Sequence, residues 1–191
     1  MTDCAGIITD RRSFLKKSAL AAVGGGLFGP FRTMAGGAAH KQLLDELTPE
    51  EKKQVDKSSM ARDFENYFGK GYSCSESTLM VCLRALGQPE SRVAAAAAFG
   101  GGMGRKDHCG LLTGGLMGIG FAASGSGRDR EAANKWRQPR LKAFWKWWES
   151  MAPIRCAEIR PAGSSSGRCM RLGRLAAAEL ERLFWDFESR P

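Results

Sequence analysis

Between residues 48 and 187, apolar residues recur at helical spacing in blocks that open on capping signals and close on glycine. That pattern confines the chain to helices packed on helices. Thr48-Pro49-Glu50-Glu51 joins an N-cap hydroxyl, a proline suited to the first helical position and a glutamate that closes a capping box. Met60, Phe64, Tyr67 and Phe68 then share one face, and Gly69 and Gly71 end the helix. Ser73-Cys74-Ser75-Glu76 repeats the box and opens a second helix to about Gly87, with Leu79, Cys82, Leu83 and Leu86 inward. Pro89-Glu90 starts a third helix, which runs through the alanines at 94–98 to Phe99.

The glycine-rich stretch Gly100-Gly101-Gly102-Met103-Gly104 reads as a loop, because each glycine costs about 1 kcal/mol inside a helix. Cys109 heads a fourth helix, Gly110 to about Ala123, whose Gly114 and Gly118 suit close helix–helix contact. Past the turn at Ser124–Gly127 a long helix is expected, kinked or restarted at Pro139. Its buried stripe is Leu141, Phe144, Trp145, Trp148 and Ala152, with Trp147 at the exposed edge. Pro161–Gly167 is a loop, and Leu172, Leu175, Ala176, Leu180, Leu183, Phe184 and Phe187 mark a final amphipathic helix. No segment reads as a strand. The expected class is all-α, a single compact domain of about five to six helices with glycine-rich loops.

The N-terminus is of a different kind. Asp10-Arg11-Arg12-Ser13-Phe14-Leu15-Lys16 resembles the twin-arginine export signal, and it is followed by a weakly apolar run to Phe31 and small residues at 35–39. The resemblance implies a signal peptide over 1–39 and a mature domain over 40–191, carried already folded into the periplasm or another extracytoplasmic space. The run from Ser18 to Phe31 is too short and too glycine-rich for a permanent membrane anchor. Residues 1–39 hold five Lys/Arg against two Asp/Glu, so the remainder keeps a net +6 of the chain's +9. The excess is spread over residues 128–146 and 155–174, with no basic stripe carrying interleaved aromatics. Nucleic acid is therefore not an expected partner. An acidic redox protein is, together with a second copy of the chain.

Six cysteines are present, of which Cys4 precedes the arginine pair and leaves with the signal. None sits in Cys-x-x-Cys, which disfavours a thioredoxin motif and a zinc ribbon. It also excludes a c-type haem, which needs Cys-x-x-Cys-His. Cys74 and Cys82 are eight residues apart on one helix, about 12 Å, and a disulfide needs Cα atoms within about 7 Å. Cys82, among leucines, reads as a small core residue. Cys74 and Cys109 fall in first helical turns, where the dipole and free N–H groups favour a thiolate and lower its pKa. Arg105, Lys106 and His108 precede Cys109 and are expected to act the same way. Cys156 and Cys169 flank a loop able to bring them together.

Gly71-Tyr72-Ser73-Cys74-Ser75-Glu76-Ser77, Phe99-Gly100-Gly101-Gly102-Met103-Gly104, Cys109-Gly110-Leu111-Leu112-Thr113-Gly114, then Cys156 and Cys169, together resemble the C_GCAxxG_C_C family of redox-active proteins. The resemblance places the family's four cysteines on Cys74, Cys109, Cys156 and Cys169, with Leu111 where the family has alanine. A similar domain occurs in the split-Soret cytochromes, whose haem segment this chain lacks. What the resemblance implies is a redox site. Four thiolates suit an iron–sulfur cluster, with Gly101, Gly102, Gly110 and Gly114 as the glycines facing it. Zinc in the same thiolates, cycling cysteine pairs, and two structural disulfides in a binding domain are the other readings. An oxidoreductase or electron carrier is thus expected. No catalytic triad, carboxylate pair or phosphate loop supports a hydrolase.

Overall fold

A computed structural model describes residues 44–125 and 127–187. The expected export signal lies outside the described residues. Seven α-helices occur among those described: α1 Pro49–Lys57, α2 Ser59–Phe64, α3 Cys74–Ala85, α4 Gly110–Ser124, α5 Arg130–Met151, α6 Cys156–Ile159 and α7 Gly167–Trp185. A 3₁₀ segment, Glu90–Phe99, follows α3, and a tight turn, Gly102–Lys106, leads toward α4. The class is all-α, as the periodicity predicts. Two isolated backbone bridges are the extended pairings seen among the described residues.

The packing of α3 on α4 is the most extensive helix contact. Gly114 lies where a Cβ would stand 2.5 Å from the Ser75 carbonyl oxygen. Gly118 is in the same position against Cys82 Sγ, again at 2.5 Å. With Gly110 set against Cys74, these glycines form a stripe at four-residue spacing, one face of a helix. Gly110, Gly114 and Gly118 meet residues 74–75, 75–78 and 82 in ascending order, so α3 and α4 run parallel. Both helices therefore start at the same end of the molecule.

Phe144, Trp148, Phe64, Ile119, Leu172 and Leu180 fill the core beneath this pair with no exposed surface. α7 is pinned from two sides. Arg171, 3% exposed, donates two hydrogen bonds to Glu51 of α1, at 2.9 and 2.5 Å. Arg140, also buried, donates to the Leu183 carbonyl at 2.8 Å and stacks on Trp136.

Four expectations are corrected or narrowed. The first helix is two, because Ser58 takes an extended backbone between α1 and α2. Its hydroxyl accepts from the Ala61 N–H at 3.0 Å and donates to Glu181 of α7, so a capping bond and a tertiary bond offset the break. The alanine run is 3₁₀, whose three-residue period sets Val93, Ala96 and Phe99 on one covered face and leaves the other alanines exposed. α5 runs through Pro139 as one helix, without a restart. Trp147 is half-buried, stacked on Phe144 at 5.7 Å, and the exposed large apolar groups are instead Leu44, Tyr72, Met103 and Trp185.

Cys82 is fully buried, as expected of a core thiol, and burial pushes its pKa well above the free value. The folded state thus favours the protonated form. Its contribution is complete below the free thiol's pKa of about 8.5 and is lost as pH rises above it. Cys82→Ala is expected to cost about 1–2 kcal/mol at neutral pH. That gap should narrow by about 1.4 kcal/mol per pH unit above about 8.5, read by urea unfolding at two pH values.

Candidate functional site

The four other cysteines among the described residues stand at helix starts. Cys74 is the first residue of α3, Cys109 caps α4, Cys156 opens α6, and Cys169 lies in the first turn of α7. The parallel pair α3 and α4 brings the first two to one end. Cys169 comes with the first turn of α7, and Cys156 arrives through the backbone. The Cys109 N–H donates to the Ile154 carbonyl at 2.9 Å, and the Cys156 N–H donates to the Asp107 carbonyl at 2.6 Å. This short antiparallel bridge, centred on His108 and Arg155, clips the approach to α4 onto the approach to α6.

A cavity of about 410 Å³ opens at this end, lined by Cys74, Cys156 and Cys169 together with Ser73, Ser166, Phe68, Gly69, Tyr72, Gly101, Lys106 and Arg160. Cys109 sits behind it, 3% exposed. Cys74 is the most exposed of the four and the hub of the group: its charge acts on Cys109, Cys156 and Cys169 alike. The described cysteines are all free thiols. No three His, Cys, Asp or Glu side chains among the described residues are placed to share one metal ion.

The electrostatics of Cys109 reverse the expectation from its position in the chain. Burial pushes this thiol up, and the neighbouring Cys74 pushes the same way. The backbone N–H groups of Leu111 and Leu112, in the first turn of α4, pull the other way without prevailing, although no capping hydrogen bond to the sulfur forms. The helix start supplies donors, as expected, but desolvation outweighs them. Burial likewise raises Cys156, against the opposing pull of Lys106. Cys169 is pushed up to about 11, first by burial and then by Cys74. Arg105 and His108, expected to help Cys109, are exposed, and His108 lies 3.4 Å from Asp107. Three thiols that resist ionising are weak nucleophiles at neutral pH. A bound cation changes that balance, since it offsets the cost of burying thiolate charge.

The four glycine candidates separate by position. Gly101, at φ 61°, lines the cavity. Gly102, at φ 66°, fits beneath Cys156, whose Cβ would stand 2.8 Å from an added methyl. Gly110 leaves room for the Cys74 sulfur, which a methyl there would strike. Gly114 faces the Ser75 carbonyl and serves helix packing, not the cavity. Sequence reasoning missed Arg160 and Ser166 as lining residues. Arg160 follows Cys156 by four residues, one helical turn, and that spacing is the signal that could have found it.

Gly110→Ala and Gly114→Ala should therefore part company. Gly114→Ala meets rigid backbone and is expected to cost stability, by about 1–3 kcal/mol, with thiol chemistry unchanged. Gly110→Ala meets a side-chain sulfur that can swing away, so it should cost less while speeding alkylation of Cys74. Thermal unfolding and mass-mapped thiol labelling measure both.

Residues 72–183 match the family model described as "Putative redox-active protein (C_GCAxxG_C_C)". No curated protein and no solved structure matches the chain. The matched region holds Cys74, Cys109, Cys156 and Cys169, and it spans more than half of the sequence. This chain belongs to the C_GCAxxG_C_C family.

Proposed function

We propose that the chain is an exported electron-transfer protein whose Cys74, Cys109, Cys156 and Cys169 hold one iron–sulfur cluster. The observation that carries this reading is the gathering of four cysteines, spread over 96 positions from 74 to 169, around one cavity at one end of the fold. Four thiolates are the donor set of [2Fe–2S] and [4Fe–4S] centres. Among the described residues no three of these side chains are placed to hold one ion, which favours a cluster over a single zinc ion. A cluster spreads its ligands over several iron atoms. When bound, such a cluster accepts and releases one electron at a time.

The chain's own residues provide the rest of the site. The N–H groups of Leu111 and Leu112 lie in the turn after Cys109 and favour its thiolate, as donors that tune a cluster do. Gly110 makes room for the Cys74 sulfur, and Gly101 and Gly102 bring backbone to the rim. Lys106 and Arg160 offset negative charge inside the cavity, where both act on Cys156 and Cys169. Thiol–disulfide cycling has less support, because burial raises three of the four thiols it would use.

Replacing any one of Cys74, Cys109, Cys156 or Cys169 by serine should remove most of the iron and acid-labile sulfide from anaerobically purified protein. Double replacements should remove little more, because the four act as one ligand set, and Cys82→Ala should keep the full complement. Zinc measured in place of iron, or two intact disulfides in metal-free protein, would reject the cluster. Export is part of the same proposal and has its own test. Arg11→Lys with Arg12→Lys should leave the precursor in the cytoplasm, followed by immunoblots of cell fractions, and undiminished export would remove the twin-arginine reading.

A further inference from the structure

The cysteine cavity carries an unbalanced charge. Its lining includes two cations, Lys106 and Arg160, and no acidic residue. The other large groove in the described fold, about 630 Å³ in volume, is different in kind. There Lys53, Lys57 and Arg182 are largely offset by two acids, Glu181 and Asp186. The positive excess at the cysteine end reaches inward, since Lys106 and Arg160 both act on Cys156 and Cys169. It also extends outward. Arg155, 70% exposed, stands beside Cys156, and the exposed Arg105 stands beside Lys106. Asp107, the one acid in this stretch of loop, faces His108 at 3.4 Å and Arg155 at 4.0 Å.

The same rim exposes apolar surface. Tyr72 lines the cavity and is 37% exposed, and Met103, 41% exposed, projects from the tight turn between Gly101 and Lys106. Two of the four large exposed apolar side chains among the described residues thus border this cavity or the turn beside it. Apolar side chains beside several cations are the composition of a small, transient docking face. A tyrosine supplies rigid contact area and a methionine an adaptable one. In the same lining, Cys74 is half-buried, close enough to the surface to exchange an electron without anything entering the cavity.

We infer that the rim formed by Lys106, Arg160, Arg155, Tyr72 and Met103 is the docking face for an acidic electron-carrier protein. This inference rests on the electron-transfer reading above and names the partner's chemistry. Carboxylates of the carrier meet the cations and steer its approach, and its apolar centre covers Tyr72 and Met103. No bond is made or broken in the contact. One electron leaves the reduced iron–sulfur centre of one protein and enters the oxidised centre of the other.

Binding is measurable without electron transfer, so the test does not depend on the cluster. The probes are a labelled plant-type [2Fe–2S] ferredoxin, which is acidic, and a basic c-type cytochrome, titrated with the full chain and read by fluorescence anisotropy. The ferredoxin should bind, and its affinity should fall about tenfold or more between about 50 and 300 mM salt, as screening shortens the reach of the rim charges. Lys106→Glu with Arg160→Glu should weaken it at least as much, whereas Lys53→Glu with Lys57→Glu in the other groove should not. The cytochrome should not compete. The inference is overturned if ferredoxin fails to bind at low salt, if the rim variant binds as well as the parent, or if both double variants lose affinity equally. Ferredoxin that binds this rim but exchanges no electron would support the docking face and count against the electron-transfer reading instead.

Discussion

The contact between α3 and α4 sets everything at the cysteine end. Both helices carry a cysteine at their start, and both starts lie at one end because the helices are parallel. Parallel neighbours this close require that one helix present backbone where side chains would stand. α4 does so with Gly110, Gly114 and Gly118, one glycine per turn along a single face. Each answers a different part of α3: the Cys74 sulfur, the Ser75 carbonyl and the Cys82 sulfur. The buried Cys82 thus has a structural duty, as a side chain small enough to accept Gly118. The redox candidates occupy the open end of the same seam, and the core closes its other end.

Burial and charge then oppose each other inside the cavity. Placing Cys109, Cys156 and Cys169 out of water makes their thiolates costly, and the nearby Cys74 adds like charge. Against this stand the N–H groups of Leu111 and Leu112 and the charges of Lys106 and Arg160. For Cys109, Cys156 and Cys169 the cost prevails, so the thiols by themselves form a neutral cluster of weak nucleophiles. In the proposed reading, a bound metal cluster would supply the missing positive charge to the four cysteines. The same lysine and arginine that relieve the thiolates from within also present their charge outward, so one pair of side chains serves the site and its surface.

Much of this was legible in the sequence, for identifiable reasons. Capping boxes at Thr48 and Ser73 are local chemistry, and both form as expected. The four-residue spacing of Gly114 and Gly118 on α4 announced close packing, since glycine costs a helix interior stability, whereas the place of Gly110 in the same stripe was not legible in it. What failed depended on distant partners. Ser58 breaks the first helix because Glu181, far away in the chain, accepts a hydrogen bond from its hydroxyl. The alanine run tightens to 3₁₀ because one face of three residues is covered and the Ala96 carbonyl accepts from Ser75. The Cys109 thiol rises because the fold removes its water, a fact that helix position cannot convey. The bridge that delivers Cys156 to Asp107 is a backbone contact between irregular segments, and no side-chain pattern encodes it.

X-ray absorption at the iron edge, on anaerobically purified full-length protein, addresses the central claim most directly. The account predicts iron surrounded by sulfur, with a second shell of iron from a neighbouring metal atom, both lost when Cys74 is replaced by serine. An iron centre with no iron neighbour, a zinc edge with four sulfurs, or a sulfur edge showing the four cysteines as disulfides would contradict it.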